Sequence, residues 1–282
     1  MTPIDRAILS LDGLSLGDAF GQCFFQFENL SAEQPSQRPL PPVPWYFTDD
    51  TEMSLSIVAI LAKCGAIDQM QLAHSFAEHY SYDRAYGPSM HRVLARIREG
   101  EPWQKVAATT FEGQGSFGNG AAMRAAPLGA FFAYDPSLAM EQATLSAAIT
   151  HSHPEGIAGA VAVALASAEA CRCHEAEVRP THGEFIGKIV EQLPQSEVRS
   201  RLARAQSMSS VSSLDFPVSV LGNGTGLSAQ DTVPYALWCC GQALEDYQKA
   251  LWLAADAGGD SDTLWARYKI TASFSGLCGW MV

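Results

Sequence analysis

Residues 45–61 read WYFTDDTEMSLSIVAIL. The second half of this stretch decides the fold class. Met53, Ile57, Ile60, Leu61 and Cys64 recur at the three-and-four spacing of one helix face, and Gly65 stands where a left-handed residue would close the helix. Upstream, five of the fifteen prolines fall at positions 35, 39, 41, 42 and 44, so residues 29–47 read as a loop. The helix therefore starts at Thr48-Asp49-Asp50-Thr51. One cap side chain suffices there, and Asp49 with Glu52 three residues on would make a capping box. A second adjacent carboxylate repels the first unless solvent or a cation offsets it. Capping and cation binding both fit this turn taken alone.

The helical period extends through the chain. DRAILSLDGLSLGDAFG reads as a buried helix carrying Ile8, Leu9, Leu11, Leu14 and Leu16, with Gly13 and Gly17 at close contacts. DQMQLAHSFAEHYSYD and SMHRVLARIREG read as amphipathic helices, and LAMEQATLSAAITHS and PEGIAGAVAVALASAEACRC as alanine-rich ones. The segment from Arg172 to Gln206 is polar and reads as a helical excursion on the surface. GNGTGLSAQDTVPYALWCC and ALEDYQKALWLAADAGGDSDTLWARY each read as helical segments beside a glycine-bearing loop. Period-2 strands are absent, so the expectation is an all-α single domain over residues 1–282 with roughly ten or more helices. GNG occurs at 118–120 and 222–224, but the flanks differ and no repeat is implied.

With 47% hydrophobic and 17% charged residues, the 282-residue chain can bury a sizeable core. Its net charge of −12 argues against general nucleic-acid binding, which requires basic residues to neutralise phosphates. It leaves room for one phosphorylated ligand held by backbone N–H groups or by metal ions. The N-terminal residues carry acids where a secretory leader would be basic and then apolar, and no run of 18 apolar residues suggests a membrane span. The seven cysteines lack metal-ligand spacing and read as reduced thiols, giving an expectation of a cytoplasmic protein.

Three further segments bear on chemistry. AGGDSDTL places Asp260, Asp262 and Thr263 after two glycines, a second pairing of acids with a hydroxyl. Together with Thr48, Asp49 and Asp50, these residues would supply an all-oxygen set suited to two Mg²⁺ or Mn²⁺ ions and unsuited to zinc. GQGSFGNGAAMR is a glycine loop running into a helix, able to present backbone N–H groups to phosphate oxygens. It matches no Walker or Rossmann fingerprint. Arg124 behind it could serve a phosphate or an internal ion pair. In ITHSHPEG, His151 reads either as a ligand contact or as a satisfied helix-end residue, and His153 before Pro154 as structural.

GLSLGDAFG, FTDDTEMS, GSFGNGAAMRAAPLG, ITHSHPEGIAGA, GNGTGLSAQDTVPYALW and GGDSDT, in this order across residues 13–263, resemble the ADP-ribosylglycohydrolase family. The resemblance implies a compact orthogonal multi-helix bundle and a two-metal site of Mg²⁺ or Mn²⁺. It implies metal ligands at Thr48, Asp49, Asp50, Asp260, Asp262 and Thr263, with Asp50 and Asp262 placed for catalysis. Gly115, Ser116, Phe117, Gly118, Asn119, Gly120 and Ala121 would lie beside the diphosphate and the distal ribose, and His151 near the adenosine-side ribose or the diphosphate. The implied activity is removal of ADP-ribose from modified proteins, first from arginine, with ADP-ribosylated protein or ADP-ribose as the partner.

Two departures stand out. Many relatives carry a glutamate shortly after GDAxG, whereas here Gln22 and Phe25 occupy that stretch and Glu28 has the wrong spacing. After the second acidic turn relatives continue in small apolar residues. This chain instead has Trp265, Arg267, Tyr268 and Lys269, which a tight buried helix contact would not accept.

Overall fold

Thirteen α-helices follow one another through residues 1–26, 40–209 and 213–256, the parts of the chain that the computed structural model describes. They are α1 (Pro3–Gln26), α2 (Asp49–Cys64), α3 (Gln69–Glu78), α4 (Pro88–Arg98), α5 (Trp103–Ala108), α6 (Ala126–Phe131) and α7 (Pro136–Ala148). The second half holds α8 (Pro154–Glu175), α9 (His182–Gln192), α10 (Glu197–Gln206), α11 (Asp215–Leu221), α12 (Ala229–Gln242) and α13 (Tyr247–Ala255). The β-pairing among the described residues is a lone bridge between Gly118 and Ser228. The protein is all-α, as the helical periodicity implies.

Helix α8 organises the core. Nearly every residue from Gly156 to Cys171 is buried, and α6, α7, α9, α10 and α12 pack around it. Its alanines and glycines allow that crowding. A Cβ on Gly129 of α6 would lie 2.0 Å from the Ala164 carbonyl oxygen, so the two backbones touch directly. By length and hydropathy α8 could cross a membrane, but 83% of that window is buried inside the protein, as in a core helix.

Two expectations are corrected. Helix α1 is not buried all round: Leu11, Leu14 and Phe20 face the core, whereas Ile8 and Leu16 are 45% and 47% exposed. The segment from Arg172 to Gln206 is no surface excursion. Thr181 and Glu184 form a capping box that starts α9, which buries Phe185, Ile186, Ile189 and Val190, and α10 buries Val198, Leu202 and Ala205. These apolar stripes are narrow enough that polar composition hides them.

Candidate active site

The turn at Thr48–Thr51 is built from a distance. Thr48 is the N-terminal cap residue of α2 by position, yet its own side chain makes no capping bond. Asp18 of α1 does so instead. One oxygen, Oδ2, accepts from the backbone N–H of Thr48 at 2.9 Å, the backbone N–H of Thr51 at 3.1 Å and the Thr51 hydroxyl at 2.5 Å. The other, Oδ1, accepts from the Thr48 hydroxyl at 2.9 Å. Asp18 is fully buried. The Asp49–Glu52 capping box does not form, because Glu52 Oε1 accepts from Ser81 N–H and the Tyr86 hydroxyl. Asp49 and Asp50 lie 2% and 0% exposed at the positive end of α2.

Asp49 lines a cavity of about 760 Å³. Ser116, Phe117, Gly118, Asn119, Gly120 and His151 line it too, so the first acidic turn, the glycine loop and the histidine meet in one cleft. Thr48 and Asp50 are buried at the same helix start, and Gly115 and Ala121 bound the loop. Asp260, Asp262 and Thr263 lie outside the described residues, as do Trp265, Arg267, Tyr268, Lys269 and Glu28. Among the described residues no group of three or more histidine, cysteine or acidic side chains is placed to hold a metal.

The glycine loop is held from both sides. Asn119 N–H donates to Leu227 O at 3.0 Å, Ala229 N–H to Phe117 O at 2.9 Å, and Asn119 Nδ2 to the Thr232 hydroxyl at 3.0 Å. This brings the two GNG segments into one structure without making them a repeat. Several of the loop's amides are spoken for: Gly115 N–H bonds Thr110 O and Gly118 N–H bonds Ser116 Oγ. Glycine is obligatory at two places. Gly115 has φ +78, and a Cβ there would fall 2.3 Å from Ser152 Oγ. A Cβ on Gly120 would fall 2.9 Å from the His151 ring.

Arg124 lines the same cleft from behind the glycine loop. Its side chain is fully buried over the Phe76 ring, 4.6 Å from the centroid. It donates to Gly120 O, Ser146 O, Met53 Sδ and the Thr150 hydroxyl. Burial pulls the guanidinium down to about 10, and Tyr86, Asp49 and Asp50 act against that shift. His153 is structural, as read: its Nδ1 accepts from Glu155 N–H at the start of α8.

The chain matches the ADP-ribosylglycohydrolase family over residues 1–266. It belongs to that family. Mouse ADP-ribosylhydrolase ARH3 is 30% identical over 296 residues, covering 90% of this chain and 79% of its own. Human ADP-ribosylhydrolase ARH3 is 30% identical over 250 residues, covering 78% and 68%. A solved structure described as an ADP-ribosylglycohydrolase-related protein complex superposes with a TM-score of 0.59 at 24% identity, over 98% of this chain and 89% of that one. The fold is therefore shared, and the protein is a glycosidase-type hydrolase acting on ADP-ribosyl linkages.

Several residues of this ADP-ribosylglycohydrolase escape a sequence reading. Asp18 shows only as the acid of GDAFG. Phe111 lines the cleft 51% exposed, in the left-handed region at φ +49, with its ring 6.1 Å from that of Phe117. The start of α4 at Gly87–Ser89 and the loop at Thr225–Leu227 complete the walls. Glycine followed by proline at 87–88 was the available signal for a helix start there.

Proposed function

We propose that this hydrolase removes ADP-ribose from modified proteins, N-glycosidic ADP-ribosyl-arginine first among them. Its two Mg²⁺ or Mn²⁺ ions would be held by Thr48, Asp49 and Asp50 and, from the second acidic turn, by Asp260, Asp262 and Thr263. The observation that carries this reading is the transfer of capping to Asp18. Two adjacent carboxylates buried at a helix start whose backbone N–H groups Asp18 already serves invite a cation. The donor set fits: every candidate ligand atom is an oxygen. Gln22 fits as well. It lies one turn after Asp18 on the same helix face, and its buried Oε1 has no hydrogen-bond partner among the described residues.

Such ions, when bound, supply Lewis-acid charge for the ribose hydroxyls and the attacking water. The protein's own groups do the rest. Asp50 or Asp262 accepts the proton of the water as the anomeric centre passes through an oxocarbenium-like state. Residues 115–121 and His151 hold the diphosphate and ribose oxygens, and Phe111 with Phe117 offers ring faces to the adenine. The cations also reconcile a net charge of −12 with a diphosphate ligand.

Release of ADP-ribose from arginine-, serine- and acid-linked substrates, with and without Mg²⁺ or Mn²⁺, tests the proposal. Turnover should need the metal and fall at least about 100-fold in Asp50→Asn and in Asp262→Asn. Full activity in metal-free protein and in both variants would overturn the mechanism. The absence of the family glutamate near Gln22 and Phe25 favours one second reading, a module that binds ADP-ribose without turnover. Tight binding with no release from any linkage would select it.

A further inference from the structure

The side chains behind the cleft determine which nitrogen of His151 carries its hydrogen. Arg124 Nη2 donates to Thr150 Oγ1 at 2.8 Å. A guanidinium has only donors, so the Thr150 oxygen must accept there. The same oxygen lies 2.7 Å from His151 Nδ1. Thr150 is 1% exposed, so water offers its hydroxyl hydrogen no alternative. The two carbonyls that a threonine at this helix end could otherwise reach take no hydrogen bond from Thr150 Oγ1 among the described residues. Ser146 O accepts from Arg124 Nη2 at 3.2 Å, and Ala147 O from the backbone N–H groups of Thr150 and His151 at 3.1 and 2.8 Å. The hydroxyl therefore donates to Nδ1, which must be bare, and the ring hydrogen sits on Nε2. Nε2 is on the glycine-loop side: a Cβ built on Gly118 or Gly120 would come within 3.3 or 3.0 Å of it.

We propose that Arg124 and Thr150 are positioning residues that lock His151 in its Nε2–H form, so that the loop side of the cleft presents a hydrogen-bond donor to an oxygen of the ADP-ribosyl ligand. The donor role rests on the cleft being the ADP-ribosyl site; the lock itself does not. The arrangement resembles the way an outer partner fixes the tautomer of a working histidine in other sites. It also gives Arg124, a cation with no ion-pair partner among the described residues, a task beyond filling space.

Long-range proton–nitrogen spectra of the ¹⁵N-labelled free protein report the tautomer directly, with His151 assigned by the signals lost in His151→Gln. The wild type should show hydrogen on Nε2 and a bare Nδ1. Thr150→Ser, which keeps the hydroxyl, should look the same. Thr150→Val should lose the single-tautomer signature and bind ADP-ribose about tenfold more weakly by calorimetry, with Thr150→Ser restoring affinity. Hydrogen on Nδ1 in the wild type would overturn the lock without recourse to any variant, and so would an unchanged His151 spectrum in folded Thr150→Val. If the wild type shows the Nε2–H form but does not bind ADP-ribose, the ligand assignment fails while the lock stands. If ADP-ribose binds wild type and Thr150→Val alike, the ligand assignment stands and the donor role fails.

Discussion

Asp18 shows how one side chain can set the properties of a site that it does not enter. Its carboxylate satisfies two backbone N–H groups at the start of α2 and two threonine hydroxyls. Removing it in Asp18→Ala leaves those donors buried and unpaired, and should lower stability by about 2–4 kcal/mol in urea unfolding. Asp18→Asn makes a sharper comparison. An amide oxygen in the Oδ2 place would keep the three donors there, while its NH₂ would meet the Thr48 oxygen, which can accept if its own hydrogen turns to Asp49 Oδ1, 3.3 Å away. The asparagine variant should therefore stay within about 1 kcal/mol of wild type. Equal losses in the two variants would show that the charge of Asp18, and not its hydrogen-bonding, holds the turn. None of this is legible in the sequence. The two aspartates of the turn can be read as surplus to capping, but the residue that relieves them lies thirty positions upstream and no local pattern points to it.

At the scale of elements, long periodic segments were legible and the crowded or polar ones were not. Helix α2 ends at Gly65 with φ +72, as its glycine implies, and Asp68 caps α3 by accepting from Gln71 N–H. The partition of α1 into a buried and an exposed face was missed because its apolar residues occur on both sides. The join between α8 and α9 also has an ionic part that no periodicity announces. Glu169 of α8, 3% exposed, accepts from Arg172 and from Lys188 of α9. Burial alone would raise its carboxyl, but the hydrogen bonds from Lys188 and Arg172 outweigh that and hold it below the usual 4.5. A folded value lower than the unfolded one gives stability that is complete above 4.5 and lost as pH falls through the folded value. Glu169→Gln should thus be less stable than wild type at pH 7, by about 1–2 kcal/mol in denaturant melts, and the gap should shrink as pH falls below 4.5 toward the folded value. A gap that stays constant at every pH where both proteins remain folded would assign the effect to packing.

For the molecule as a whole, the sequence could offer two acidic turns some two hundred residues apart but nothing that brings them together. The second turn lies outside the described residues, and around the first the chain topology gathers remote segments. Helix α1 grips the start of α2, and the loop at 117–119 is tied to 227–229, so segments remote in sequence close on one cleft. A chain of net charge −12 carries like-charge repulsion in its folded state. A divalent cation that binds only the folded state would relieve it and stabilise by mass action, by about 2.7 kcal/mol at a hundred times its dissociation constant. For a chain of 282 residues that corresponds to a rise in melting temperature of roughly 4–5 °C. Sodium chloride at matched ionic strength screens the same net charge but has no site, so it should give much less of the rise. Asp49→Asn should remove the difference between Mg²⁺ or Mn²⁺ and sodium while leaving the screening effect in place. Scanning calorimetry on wild type and variant in the three salts decides it. An equal rise in sodium chloride would mean that the cations act on the surface charge at large and that no pair of acidic turns holds them.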